Sequence, residues 1–172
     1  MKKVSLLCTG FLLFLCPLFY GSCDEDENEL PPITMEGKNT FGCLVNGKVW
    51  LPKGRAGSSG FFADMTINNF LSILADNDNS GVRLILSDKI GIQANKIYTF
   101  KNDTTFNAEY YKSAENITCF YKYTHLIYGK IQLSKLEAEF ISGTFEFTTY
   151  NPDCGDTIKV TQGRFDIGEI TK

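Results

Sequence analysis

Phe140 to Ile167 reads FISGTFEFTTYNPDCGDTIKVTQGRFDI. Phe145 and Phe147 fall on one parity and Thr144, Glu146 and Thr148 on the other, which is the two-residue period of a strand with one apolar face. Asn151-Pro152-Asp153 turns the chain, and Thr157 to Ile167 brings it back as the second arm of an antiparallel hairpin. On the return, Ile158 and Val160 share one parity, whereas Phe165 and Ile167 share the other. One extra residue at Gln162-Gly163, a β-bulge, would put all four on the same face. Gly163 is the expected bulge residue, because without a Cβ it accepts positive φ cheaply.

The same period recurs upstream. Phe41 to Val45 and Lys48 to Leu51 flank Asn46-Gly47, the pair best suited to a two-residue hairpin turn, and place Cys43 opposite Trp50. Lys53 to Gly60 is a Gly/Ser loop. Phe61 to Ile67 and Phe70 to Ala75 read as strands, Asp76 to Gly81 as a polar turn, and Val82 to Ser87 as a half-buried strand. Lys96 to Lys101, Ile117 to Tyr123 and Leu126 to Leu133 read as further strands, with Thr104 to Asn116 as an ordered loop between them. No window shows a clean helical period, so the expected fold is all-β, an antiparallel β-sandwich or flattened barrel of roughly 9–11 strands.

The amino terminus carries an address. Lys2 and Lys3, the apolar run from Val4 to Tyr20, and the small residues Gly21 and Ser22 have the layout of a signal peptide. The run is shorter than the ~20 residues of a spanning helix and contains Pro17. Cys23 follows the small residues at once, where a thiol can take a lipid before cleavage. Two or more acyl chains hold a protein stably to a bilayer, which would be its first partner. The expected organisation is a signal peptide at 1–22, a lipidated acidic flexible tether at 23–39, and a single β domain at 40–172.

The chain has 172 residues, enough for one domain with a real core. Of its 20 carboxylates, five (Asp24, Glu25, Asp26, Glu27, Glu29) cluster just after Cys23. Such a run, followed by Pro31 and Pro32, cannot bury apolar area and is expected to stay extended and solvated. The remaining charges balance, and no basic patch points to nucleic acid.

Three pieces, TFGCLVNGKVW (Thr40–Trp50), SGTFEFTTYN (Ser142–Asn151) and CGDTIKVTQGRFDI (Cys154–Ile167), together resemble an uncharacterised family of Bacteroidetes lipoproteins. Its members share an NGKxW opening and a GTFxF hairpin that ends in GRFD. The region around Cys23 is similar to the lipobox of these proteins, with Tyr20 where an aliphatic residue is usual, and the acidic run resembles their surface-export signal. The resemblance implies the outer membrane as location, the domain facing the exterior, and a β fold; it implies no catalytic residues.

Cys43, Cys119 and Cys154 remain after Cys23, an odd set in an oxidising compartment. Cys119 and Cys154 are expected to pair, leaving Cys43 buried as a small apolar residue. Three scattered cysteines and a sole histidine, His125, lack the spacing of a metal site, and no phosphate loop opens a helix, so neither metal nor cofactor is expected. His125 reads as a turn residue without a nucleophile partner. Glu146 and Asp166 could serve a glycosidase if ~5–9.5 Å apart, though both alternate with core aromatics. Tyr98, Tyr110, Tyr111, Tyr121, Tyr123 and Tyr128 supply rings that fill a core or bind sugars and proteins. Asp103-Thr104-Thr105 and Asp156-Thr157-Ile158 resemble a short bacterial O-glycosylation motif. The expectation is a surface-exposed, non-enzymatic binding or structural accessory domain that contacts a glycan or an envelope protein. A small carbohydrate-active enzyme and a subunit of a surface complex are the alternatives.

Overall fold

The computed structural model describes residues 29–54, 60–66, 69–100, 106–168 and 170–171. The signal segment, Cys23, the acidic run through Asn28 and Asp103-Thr104-Thr105 lie outside the described residues. Twelve strands occur among those described: β1 (Thr40–Val45), β2 (Lys48–Trp50), β3 (Phe61–Thr66), β4 (Phe70–Asp76), β5 (Ser80–Ser87), β6 (Ile97–Thr99), β7 (Phe106–Ala114), β8 (Ile117–Tyr121), β9 (Leu126–Leu136), β10 (Ile141–Asn151), β11 (Asp156–Ile167) and β12 (Ile170–Thr171). They form two six-stranded sheets, ordered β2-β1-β11-β10-β9-β6 and β12-β3-β4-β5-β7-β8. All pairings are antiparallel except the short β12–β3 contact. The fold is a β-sandwich; it does not close into a barrel, because the two sheets share no strand pairing.

The β10–β11 hairpin is the centre of the first sheet. Phe145, Phe147, Ile158, Val160, Phe165 and Ile167 are all buried, which requires the inferred bulge: Phe145 pairs with Gly163 but Phe147 with Val160. The positive φ belongs to Gln162, at 52°, and not to Gly163. Gly163 is needed for space, since a Cβ there would lie 2.6 Å from the Phe145 ring. Asn46 and Gly47 both take positive φ in the β1–β2 turn, and Cys43 pairs with Trp50.

Between the sheets, Phe41 contacts Trp50, Phe61 and Phe145 with ring centroids 5.3 to 6.1 Å apart. Ile73, Leu84, Phe106 and Tyr121 close the core from the second sheet. Trp50 satisfies its indole by donating Nε1–H to Ser80 Oγ at 2.8 Å, which links the two sheets.

Two further expectations are corrected. Thr104–Asn116 is not a loop from Phe106 onward: β7 lies between β5 and β8, with Phe106, Ala108 and Tyr110 buried at alternate positions. And the tether does not stay solvated to residue 39. Asp166, expected on an open strand face, is 1% exposed because the segment before β1 lies over it. Its carboxylate accepts Thr34 Oγ1–H at 2.6 Å and the backbone N–H groups of Glu36, Gly37 and Lys38 at 3.0, 2.8 and 3.2 Å. Gly37, at φ 71°, curls these donors to one side, making an anion nest filled by a protein carboxylate. Upstream, Pro31 and Leu30 seat where Gly42 has no side chain.

Candidate binding groove

The second sheet turns its other face to solvent. Cross-strand register sets Leu74, Arg83 and Glu109 abreast, and one step further along Asp76, Gly81, Tyr111 and Phe120. All have the parity opposite to the buried Ile73, Val82, Tyr110 and Tyr121, so they share the outer face. Together with Lys122 they line a groove of about 260 Å³.

Gly81 makes the groove. A Cβ at this position would overlap the Tyr111 ring and the Asp76 carboxylate, so glycine lets Tyr111 lie flat across β5. Tyr111 then donates its O–H to Asp76 Oδ1 at 3.1 Å, and its ring stands 6.1 Å from that of Phe120, tilted by 36°. Phe120, on the edge strand β8, is 57% exposed. Arg83 Nη1 and Glu109 Oε2 pair at 3.8 Å along one wall. The result is an apolar floor of two rings and Leu74, rimmed by paired opposite charges. Such a surface can stack a flat, hydroxyl-bearing ring while its rim exchanges hydrogen bonds with the substituents.

Beneath the groove, the edge strand β8 is fastened to the first sheet. Cys119 and Cys154 are joined by a disulfide, and Asn151 Nδ2–H donates to the Phe120 carbonyl at 2.9 Å. Tyr121 donates its O–H to Asp156, and Lys112 Nζ reaches the other carboxylate oxygen at 2.6 Å. Burial pulls the Asp156 carboxyl up, but the bonds from Lys112 and Tyr121 outweigh it and leave it below its ordinary value. Burial first, and then the bond to Asp156, pushes the Tyr121 hydroxyl up. These groups neutralise one another and hold the platform still.

The remaining residues singled out in the sequence lie elsewhere. Glu146 is on the outer face of the first sheet, accepting from Tyr128 O–H at 3.0 Å and pairing with Lys130 at 3.1 Å. Asp166 pairs with Ser142, four residues from Glu146 along β10, which separates the two backbones by about 13 Å. The carboxylates are thus not brought together for glycoside chemistry, and each is already committed. His125 ends an exposed 3₁₀ turn, Tyr123–His125, between β8 and β9, with Thr124 Oγ1 3.3 Å from its Nδ1. Tyr98, Tyr110 and Tyr121 are core residues, whereas Tyr123 and Tyr128 are exposed. Thr157 is exposed on β11, but Asp156 beside it is engaged by Tyr121 and Lys112. Cys43 is buried and unpaired, its thiol pushed up to about 12 by burial. Among the described residues, no three His, Cys, Asp or Glu side chains are placed to hold a metal.

Asp76, Arg83, Glu109 and Phe120 carry no functional signal in the linear sequence. Gly81 was the one clue, a glycine at the start of a strand, but its position beside Asn79-Ser80 reads as turn chemistry.

The fold and the groove define a two-sheet β-sandwich with a small aromatic groove on the outer face of one sheet. The chain belongs to the family described as a domain of unknown function, DUF6252, which matches residues 43–167. That span runs from Cys43 in β1 to the last residue of β11, and so takes in the groove and the bulged hairpin. No curated protein and no solved structure matches the chain.

Proposed function

We propose that this chain is a cell-envelope lipoprotein of a Bacteroidetes-type bacterium, acylated at Cys23, held at the outer membrane with its domain facing the exterior. Its β-sandwich is a non-enzymatic binding domain that takes a glycan on the Tyr111–Phe120 groove. The observation that carries the binding role is the Gly81 gap: a glycine inside a strand leaves room for a tyrosine ring to lie flat beside an exposed phenylalanine. Burying the Phe120 ring in a core would have been more favourable, by ~1.5–3 kcal/mol, than leaving it on the surface. The signal layout before Cys23 and the NGKVW and GTFEF motifs support the anchor and its location.

The position of the segment at 30–38 fits that arrangement. It docks on the outer face of the first sheet, whereas the groove is on the outer face of the second. Seven residues from Cys23 to Leu30 span at most ~25 Å. An anchor at Cys23 therefore tethers the domain close to the bilayer by the side opposite its groove, which leaves the groove turned outward.

The test is affinity electrophoresis of the full chain in non-ionic detergent, through gels cast with xylan, galactomannan, hydroxyethylcellulose or alginate. At least one polysaccharide retards the native chain, and Phe120→Ala and Tyr111→Ala restore free mobility. Free migration of the native chain in all four gels, or retardation that survives both substitutions, overturns the reading.

A further inference from the structure

The groove is not the end of the aromatic surface. At its β8 side, Phe120 is followed within three residues by Tyr123 on the 3₁₀ turn that crosses from the second sheet to the first, and then by Ile127 and Tyr128 at the start of β9. Tyr128 pairs with Thr148, and Tyr150 lies two residues further along β10. Tyr123, Ile127, Tyr128 and Tyr150 are all exposed, at 39 to 63%. The crossing is held against β10, because Thr149 Oγ1–H reaches the carbonyls of Lys122 and His125 at 3.4 and 3.3 Å. Exposed apolar residues therefore recur in chain order from the outer face of one sheet, past the crossing at the edge of the sandwich, to the outer face of the other. No backbone step along this track exceeds ~17 Å.

Two features of the track select its occupant. The rings are held before any ligand arrives: Tyr111 is bonded to Asp76 and Tyr128 to Glu146, so little rotamer freedom is lost on binding. The charges beside them balance: Arg83 pairs with Glu109 and Lys130 with Glu146, and the two remaining charges of the groove, Lys122 and Asp76, are opposite in sign. The hydrogen bond to Glu146 raises the Lys130 ammonium above its ordinary value, which keeps this pair closed. A surface of fixed rings and internally neutralised charge stacks an uncharged polyol and offers a polyanion no net attraction.

We infer, resting on the glycan reading above, that the ligand is a neutral polysaccharide chain which enters at Tyr111–Phe120 and leaves over Tyr128–Tyr150. Length then matters. A short oligosaccharide fills the groove alone, and a longer one also contacts the first sheet.

The experiment uses the full chain in detergent and disaccharide and octasaccharide fractions of whichever of the three neutral polysaccharides retards it, with an alginate octasaccharide for comparison, read by titration calorimetry. The octasaccharide binds at least ten-fold tighter than the disaccharide, and the Tyr128→Ala/Tyr150→Ala double variant loses about that factor for the octasaccharide alone. Both side chains are exposed, and Tyr128→Phe/Tyr150→Phe, which keeps the rings but frees Tyr128 from Glu146, retains most of the long-chain affinity. Equal affinity for both lengths, or an octasaccharide affinity indifferent to the double alanine change, overturns the track while leaving the groove intact. Preference for the alginate fraction overturns the neutral class. Loss of all binding on Phe120→Ala with no length effect would support the groove reading alone and refute the track.

Discussion

Replacing Asp166 by alanine should free the segment before β1 and leave the sandwich standing. The carboxylate accepts four hydrogen bonds, three of them from consecutive backbone N–H groups. At ~1.5 kcal/mol for each bond to a charged group, they contribute ~6 kcal/mol. Ordering the five residues from Thr34 to Lys38 costs about 1 kcal/mol each, or ~5 kcal/mol. The two terms nearly cancel, so docking depends on the carboxylate, and the net loss in Asp166→Ala is only ~1–2 kcal/mol. Amide hydrogen exchange followed by mass spectrometry reads this directly. In the native chain the amides of residues 36–38 exchange about five- to thirty-fold more slowly than in an open chain, the factor that ~1–2 kcal/mol sets; in the variant they exchange at the open-chain rate, and those of β10 and β11 stay protected. Protection at 36–38 that survives the substitution would refute the reasoning.

Acid should have the same effect. Burial raises the Asp166 carboxyl, but the bonds from Thr34, Glu36, Gly37 and Lys38 together hold it below its ordinary value of 3.8. A carboxylate depressed in the fold contributes stability above its unfolded value and loses it as pH falls through the folded one. Protection of residues 36–38 is therefore complete at pH 5 and above and fades below about pH 4.

Other outcomes follow from the cysteines. The Cys119–Cys154 bridge closes a separation of 35 residues, and loop entropy puts its contribution at roughly 3–4 kcal/mol, so Cys154→Ser lowers the melting temperature by about 10 °C in thermal denaturation. An unchanged melting temperature would refute that contribution. Cys43, buried with its thiol raised to about 12, stays unmodified by iodoacetamide at pH 8 and reacts fully in guanidinium; labelling at Cys43 in the native chain, read by peptide mass spectrometry, would refute its burial.

Legibility of the fold tracked how local the determinants were. Asn46-Gly47 was readable because the turn needs two positive φ values in adjacent residues and nothing from elsewhere. The bulge in β11 was readable from the parity switch alone. Its conformation was not: Gln162 takes the positive φ, and Gly163 instead leaves room for the Phe145 ring, a contact between strands. β7 was missed for a related reason. Asn107 and Glu109 are poor strand formers, and Tyr110-Tyr111 blurs the alternation, so the strand is set by pairing with β5 and β8 on either side. Asp166 had the parity of an outward residue and is outward; the segment that covers it lies about 130 residues away in sequence. The groove was least legible of all, since Gly81 and Tyr111 meet only through the β5–β7 register.

That same meeting offers the sharpest test. In Gly81→Ala the new methyl displaces only the ends of the Tyr111 and Asp76 side chains, and the lost hydrogen bond of ~1 kcal/mol is offset by reduced freedom of the unfolded chain. The measurement is retardation of the full-length Gly81→Ala chain in the polysaccharide gel that slows the native protein, beside its thermal melt. The prediction is a melt within about 2 °C of native and free electrophoretic mobility. A Gly81→Ala protein that folds normally and is retarded as the native chain is would contradict the groove as the binding site.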